Sequence, residues 1–163
     1  MGDLLIRQVR MADLDEVTRL ESVCFPEAEA AGRDSFLQRI EAFPDSFLVA
    51  EKDGEIIGFI NGCVTDAETI CDEMFEDTGL HCPDGAYQSV FGLDVLPQYR
   101  HQAVASQLMR RLIEDARKRG RKGLILTCKE RLIGFYESFG YRNVGVSASV
   151  HGGAVWYDMI LIF

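Results

Sequence analysis

The chain has 163 residues, 47% of them hydrophobic, with 17 Lys+Arg against 26 Asp+Glu and a formal charge of −9. That length suits one domain able to bury about two thirds of its unfolded surface, and the composition excludes intrinsic disorder. The acidic balance argues against nucleic acid or an anionic membrane as partner, and no apolar run reaches the ~18 residues of a bilayer span.

In chain order, residues 4–10 read as a strand with Leu4, Ile6 and Gln8 on one face. Asp13 stands three residues before Glu16, a capping-box pattern opening a helix that carries Leu14, Val17 and Leu20. Cys24-Phe25-Pro26-Glu27 ends that helix, and an acidic loop of small residues follows to Arg33. A second helix carries Phe36, Leu37 and Ile40 and stops before Pro44. Residues 46–52 and 55–64 are apolar strands joined by Asp53-Gly54, the strongest short hairpin signal. Residues 65–86 form an acidic segment with a helical patch at 72–76. A strand over 87–95 ends before Pro97. Val104, Leu108, Leu112 and Ala116 mark an amphipathic helix over 103–119, stopped by Gly120. Residues 123–128 are continuously apolar and suit a buried central strand. A helix over 132–139 with Gly140 as cap precedes a last strand pair, 141–146 and 155–161. The alternation predicts a single mixed α/β domain over residues 1–163.

Charge is unevenly spread. Residues 53–99 hold ten acids and no Lys or Arg, whereas residues 100–122 hold eight basic residues against Glu114 and Asp115. Each run is a solvated face by default; together they suit an enzyme joining a cationic substrate to an anionic co-substrate. Five cysteines without C-x-x-C pairing, and an N-terminus without a secretion signal, lead to the expectation of reduced thiols in a cytoplasm. His81-Cys82 with Cys71 has no metal-ligand spacing, so no metal is expected. Cys128 reads as buried packing in preference to a nucleophile, because no His stands in a partnering position.

The segment carrying chemistry is the strand 87–95, then Arg100-His101-Gln102-Ala103-Val104-Ala105, then the basic helix. Small residues opening a helix allow close backbone approach, and its first N–H groups lack internal partners. With the helix dipole they favour a pyrophosphate.

Here the chain resembles the GNAT superfamily of acetyl-CoA-dependent N-acetyltransferases. The cofactor motif Q/R-x-x-G-x-G/A stands as Arg100-x-x-Ala103-x-Ala105, with Ala103 in place of the motif glycine. Residues 124–141, ending Phe135-Tyr136-Glu137-Ser138-Phe139-Gly140-Tyr141, resemble the arylalkylamine (serotonin-type) N-acetyltransferase branch. So do Cys24-Phe25-Pro26-Glu27 and Gly58-Phe59-Ile60-Asn61-Gly62.

The resemblance implies a GNAT fold: a strongly twisted mixed sheet, helices on both faces, and a parallel strand pair, 87–95 and 123–128, that splays around acetyl-CoA. It implies that Leu93, Asp94 and Val95 offer backbone groups to the pantetheine arm and acetyl carbonyl. Arg100, His101, Gln102, Ala103, Val104, Ala105 and Ser106 would hold the pyrophosphate. Tyr136 would protonate the departing thiolate, as a phenol with pKa near 10 can at neutral pH. The branch's paired histidines are replaced by Ser89 and Phe91. Ser89 is then a candidate to hold a water in the proton path, with Glu27, Glu29 or Asp66 completing the relay; His151 is placed on the surface. The implied reaction is direct attack of a small cationic amine on acetyl-CoA. The alternatives are acetylation of a protein lysine or N-terminus, and an idle acyl-CoA-binding module. Phe163 is expected on an apolar edge strand, open to pairing in a homodimer.

Overall fold

Asp53 and Gly54 both adopt positive φ, 52° and 80°, the geometry of the two-residue turn their sequence favours. They close β2 (Phe47–Lys52) onto β3 (Glu55–Asn61) in the register Lys52↔Glu55. The computed structural model describes residues 3–100 and 102–163. Before the hairpin lie β1 (Leu5–Gln8), α1 (Leu14–Cys24) and α2 (Arg33–Ala42). After it come β4 (Val64–Thr65), α3 (Glu73–Glu76), β5 (Tyr87–Val90), β6 (Gly92–Val95) and α4 (Val104–Lys118). The chain ends with β7 (Gly123–Cys128), α5 (Ile133–Glu137), β8 (Arg142–Val146) and β9 (Tyr157–Ile162).

The strands form two sheets in the orders β1-β2-β3-β6 and β4-β5-β7-β9-β8. Pairing is antiparallel except for β5 with β7, which run parallel from Tyr87↔Gly123 to Val90↔Leu126. The apolar stripe of α4 packs on one face, where Val104, Leu108, Leu112 and Ala116 join Ile57, Ile60, Leu124 and Leu126 in the main core. Leu14, Val17 and Leu20 of α1, with Phe36 and Ile40 of α2, cover the other face of the first sheet against Val49 and Phe59. This is the mixed α/β fold that the alternation of elements predicts, with helices on both faces as the resemblance implies.

Four expectations are corrected. Asp13 does not cap α1 through Glu16. Its carboxylate accepts from the Arg10 backbone N–H and pairs with Arg7 at 2.8 Å, while Glu16 accepts from the Ile56 N–H at 3.3 Å. The strand expected over 55–64 stops at Asn61, and Val64–Thr65 belongs to the second sheet. Gly62 permits that switch, because a Cβ there would lie 2.0 Å from the Ser89 carbonyl oxygen. The helix expected over 132–139 is one α-helical stretch of five residues after a 3₁₀ turn, with Gly140 at φ +105° behind it. Finally, β9 is no edge: it pairs with β7 on one side and β8 on the other. The argument for a homodimer through Phe163 loses its basis.

Candidate active site

The segment expected as one strand over 87–95 breaks at Phe91. Upstream, β5 pairs with β7; downstream, β6 pairs with β3, from Asn61↔Gly92 to Gly58↔Val95. The two halves therefore belong to different sheets, and β6 diverges from the end of β7. The edge of β6 turned away from β3 and the matching edge of β7 beyond Leu126 face one another across a gap. A cavity of about 340 Å³ occupies it, lined by Val90, Phe91, Gly92 and Leu93 on one side and Leu126, Thr127 and Cys128 on the other. That is the size range of small-molecule sites.

Tyr136, at the end of α5, borders this cavity and is only 8% exposed. Its ring meets Phe135 and Tyr141 edge-on, with centroids 5.1 and 5.9 Å apart. Burial, with Cys128 and Asp94 nearby, pushes the phenol well above its ordinary pKa, so it stays protonated. Burial also pushes the Cys128 thiol up to about 11, away from the thiolate a nucleophile requires.

Much of the remaining lining is aromatic. His151 stacks on Phe75 with rings 10° from parallel and centroids 5.1 Å apart. Its Nε2 lies 2.9 Å from the Glu29 carbonyl, and its own carbonyl accepts from Trp156 Nε1 at 2.8 Å. Phe25 also lines the cavity, beside Phe91. His151 is thus part of the cavity and not a free surface residue, because the β8–β9 loop folds back over the α1–α2 loop.

The charged residues at the cavity come from scattered positions. Glu21 of α1 and Glu29 of the following loop line it, with Glu76, Arg39, Lys129 and Arg131. Lys129 pairs with Glu29 Oε2 at 2.8 Å, leaving Glu29 Oε1 buried without a partner. Arg39 donates to Asn61 Oδ1 at 3.1 Å and to the Phe75 carbonyl at 2.9 Å, with its guanidinium 4.9 Å from the Phe91 ring centroid. Burial pulls its pKa down to about 10, still above neutrality. Beneath Gly92, Asp94 is 1% exposed and neither carboxylate oxygen has a partner.

Of the acids in 53–99, only Glu76 lines the cavity. Others bind local backbone: Asp66 accepts from Ala86 N, Asp77 from Gly79 N and Asp72 from Val150 N. The acidic run mainly builds its own loops, and Glu21 and Glu29 lie outside it.

The candidate residues fall into two groups. Leu93 and Tyr136 line the cavity. Val95, Arg100, Gln102, Ala103, Val104, Ala105 and Ser106 gather at the turn from β6 into α4, while His101 lies outside the described residues. Arg100 Nε donates to the Val95 carbonyl at 3.1 Å, tying the turn to the strand end. Ala103 holds φ +62°, ψ 19° before the first turn of α4. That is the left-handed conformation glycine adopts freely and alanine adopts at a cost of about 1–2 kcal/mol. Ala105 and Ser106, both partly exposed, follow with backbone N–H groups that have no acceptor inside the helix.

One candidate is corrected. Ser89 is fully buried and donates to the Cys63 carbonyl at 2.8 Å, away from the cavity wall; Phe91 lines the cavity instead. The Asp94 side chain is buried beneath β6, whereas the expectation for Leu93, Asp94 and Val95 concerns their backbone groups. Of the proposed relay carboxylates, Glu27 and Asp66 are exposed and do not line the cavity, and Glu29 does. Glu21, Arg39, Phe75 and Trp156 were not singled out from the sequence, since nothing local marks them.

Comparisons with known proteins agree with this architecture. Serotonin N-acetyltransferase of Mesocricetus auratus is 28% identical over 117 residues, 71% of this chain and 55% of its own length. The Bacillus subtilis protein named probable hydrolase YhcX is 28% identical over 132 residues, 76% of this chain and 25% of its own. The chain thus spans a quarter to about half of these two relatives. The structure of the GphF GNAT-like decarboxylase in complex with isobutyryl-CoA superposes with a TM-score of 0.83 at 24% identity, covering 97% of this chain and 98% of that one. The divergence of β6 from β7, the small residues opening α4 and the Phe135–Tyr141 segment all fall within residues 14–141, which match the Acetyltransferase (GNAT) family; the chain belongs to that family.

Proposed function

We propose that this protein transfers an acetyl group from acetyl-CoA to the primary amine of a small cationic acceptor, by direct attack with both substrates bound. The observation carrying this reading is the position of Tyr136: a protonated phenol on a cavity formed where β6 and β7 separate. The unpaired edges of those strands suit the amide-bearing pantetheine arm of acetyl-CoA. The open N-terminus of α4, with the small Ala103 and Ala105, suits its pyrophosphate. The acyl group would then reach the cavity beside Gly92 and Leu93.

The acceptor enters from the aromatic side. Phe25, Phe75, Phe91, His151 and Trp156 favour a flat apolar group, and Glu21 and Glu29 favour an ammonium. An arylalkylamine satisfies both. As nitrogen bonds to the carbonyl carbon and the C–S bond breaks, Tyr136 gives its proton to the leaving sulfur. It is restored by the proton the new amide nitrogen sheds.

Release of CoA thiol, followed with a thiol reagent, tests the proposal. With acetyl-CoA present, phenethylamine should support turnover at neutral pH. Turnover with an Ala-terminated peptide alone would shift the reading to protein acetylation. Acetyl-CoA binding without turnover of any amine would leave an acyl-CoA-binding module.

A further inference from the structure

We propose that Glu21 is the base that takes the acceptor amine's proton, and that Asp94 positions it through a shared proton; this rests on the amine-acetylation reading above. Asp94 of β6 and Glu21 of α1 are 1% and 7% exposed. A Cβ placed on Gly92 would lie 3.1 Å from Asp94 Oδ1, 3.7 Å from Glu21 Oε1 and 3.8 Å from Asn61 Nδ2. The two carboxyl groups therefore converge beside the strand that borders the cavity, where even a methyl group at 92 would press on Asp94. Both Asp94 oxygens and Glu21 Oε1 lack a donor, whereas Glu21 Oε2 accepts from the Ala31 N–H at 2.9 Å.

Two dehydrated carboxylates at such close approach cannot both carry charge. One proton bridging them supplies the missing donor. The deeper group, Asp94, holds it, which leaves Glu21, on the cavity, to receive the proton of the amine. Burial, reinforced by Glu21, raises the Asp94 carboxyl well above the usual range, consistent with this assignment. The surrounding groups are Arg39 from α2, Asn61 from β3, Cys24 from α1 and Cys63 after β3. Arg39 supplies a compensating positive charge, but its donors go to Asn61 and Phe75.

The step balances. The ammonium gives one proton to Glu21, and the free amine forms the N–C bond. The C–S bond breaks, sulfur takes the Tyr136 proton, and the amide nitrogen returns a proton to Tyr136. Glu21 releases its proton to solvent when product leaves.

The test compares Glu21→Gln and Asp94→Asn with wild type, using whichever of phenethylamine, spermidine and an Ala-terminated peptide is turned over. Glu21→Gln should lower kcat/KM about 10²- to 10⁴-fold at pH 7, with unchanged acetyl-CoA affinity by calorimetry. The deficit should shrink as pH approaches ~10, where the amine deprotonates unaided. Asp94→Asn keeps an N–H donor toward Glu21 and should lose less than tenfold. A wild-type pH profile in Glu21→Gln, or equal damage from the two substitutions, would overturn the assignment while leaving amine acetylation standing. No turnover of any acceptor by wild type would overturn both.

Discussion

Tyr136 was legible in the sequence because a seven-residue motif surrounds it; Glu21 was not, because its chemistry depends on Gly92 and Asp94, more than 70 positions away. Tyr136→Phe isolates the role of the hydroxyl. The ring contacts with Phe135 and Tyr141 remain, so the melting temperature should move by no more than a few degrees. The lost proton donor should lower kcat about 10²-fold, roughly 2.7 kcal/mol of barrier, with little change in KM for the amine. Thiolates leave fairly well unaided, which places the effect at the low end for a general acid. A variant keeping half of wild-type kcat across the pH range would reduce Tyr136 to a packing residue.

At the scale of elements, α4 combines two requirements at its start. Val104 must enter the core, where it is 3% exposed, while the preceding residue must turn the chain through the left-handed region. Ala103 does so at φ +62° without glycine's freedom. Ala103→Gly should therefore stabilise the fold. The relief of about 1–2 kcal/mol is partly offset by greater chain entropy in the unfolded state, leaving about 0.5–1 kcal/mol. Thermal unfolding should report a rise of a few degrees, and calorimetry with acetyl-CoA should show no loss of affinity. A fall in melting temperature would mean that the alanine methyl contributes packing that outweighs the strain. The same reasoning explains why the hairpin at Asp53-Gly54 was readable and the break at Phe91 was not. A turn is set by two local dihedral preferences, whereas the break follows from which strands compete for each half of the segment.

For the whole molecule, buried carboxylates give stability opposing pH dependences. Asp13 loses solvation on burial, but Arg7 and the Arg10 N–H outweigh that and hold its carboxyl below 3.8. It therefore adds stability above that pH, lost as pH falls through the folded value. Asp94 works in the other direction. Its unfolded carboxyl ionises near 3.8 while the folded one keeps its proton well above that. As pH rises past 3.8, the folded state binds more protons than the unfolded, and stability declines by up to about 1.4 kcal/mol per pH unit. Asp94→Asn removes this slope, so its stability relative to wild type should grow between about pH 4 and 7. Urea unfolding of both proteins across that range checks it, and parallel curves would show that Asp94 ionises normally.

The amino-acid sequence by itself determined most of the helices and strands, the Asp53-Gly54 hairpin and, through contiguous motifs, the family, because these rest on short-range periodicity, turn dihedrals and local sequence. It also marked Tyr136 and the opening of α4. Tertiary structure decided the rest. It moved β9 into the sheet interior, buried Ser89 against Cys63 and swung His151 onto Phe75 as a cavity wall. It also brought Glu21, Arg39 and Asp94 from α1, α2 and β6 to one point. Their chemistry comes from shared dehydration and mutual charge, which act through space between residues far apart in the chain, and no local pattern encodes that.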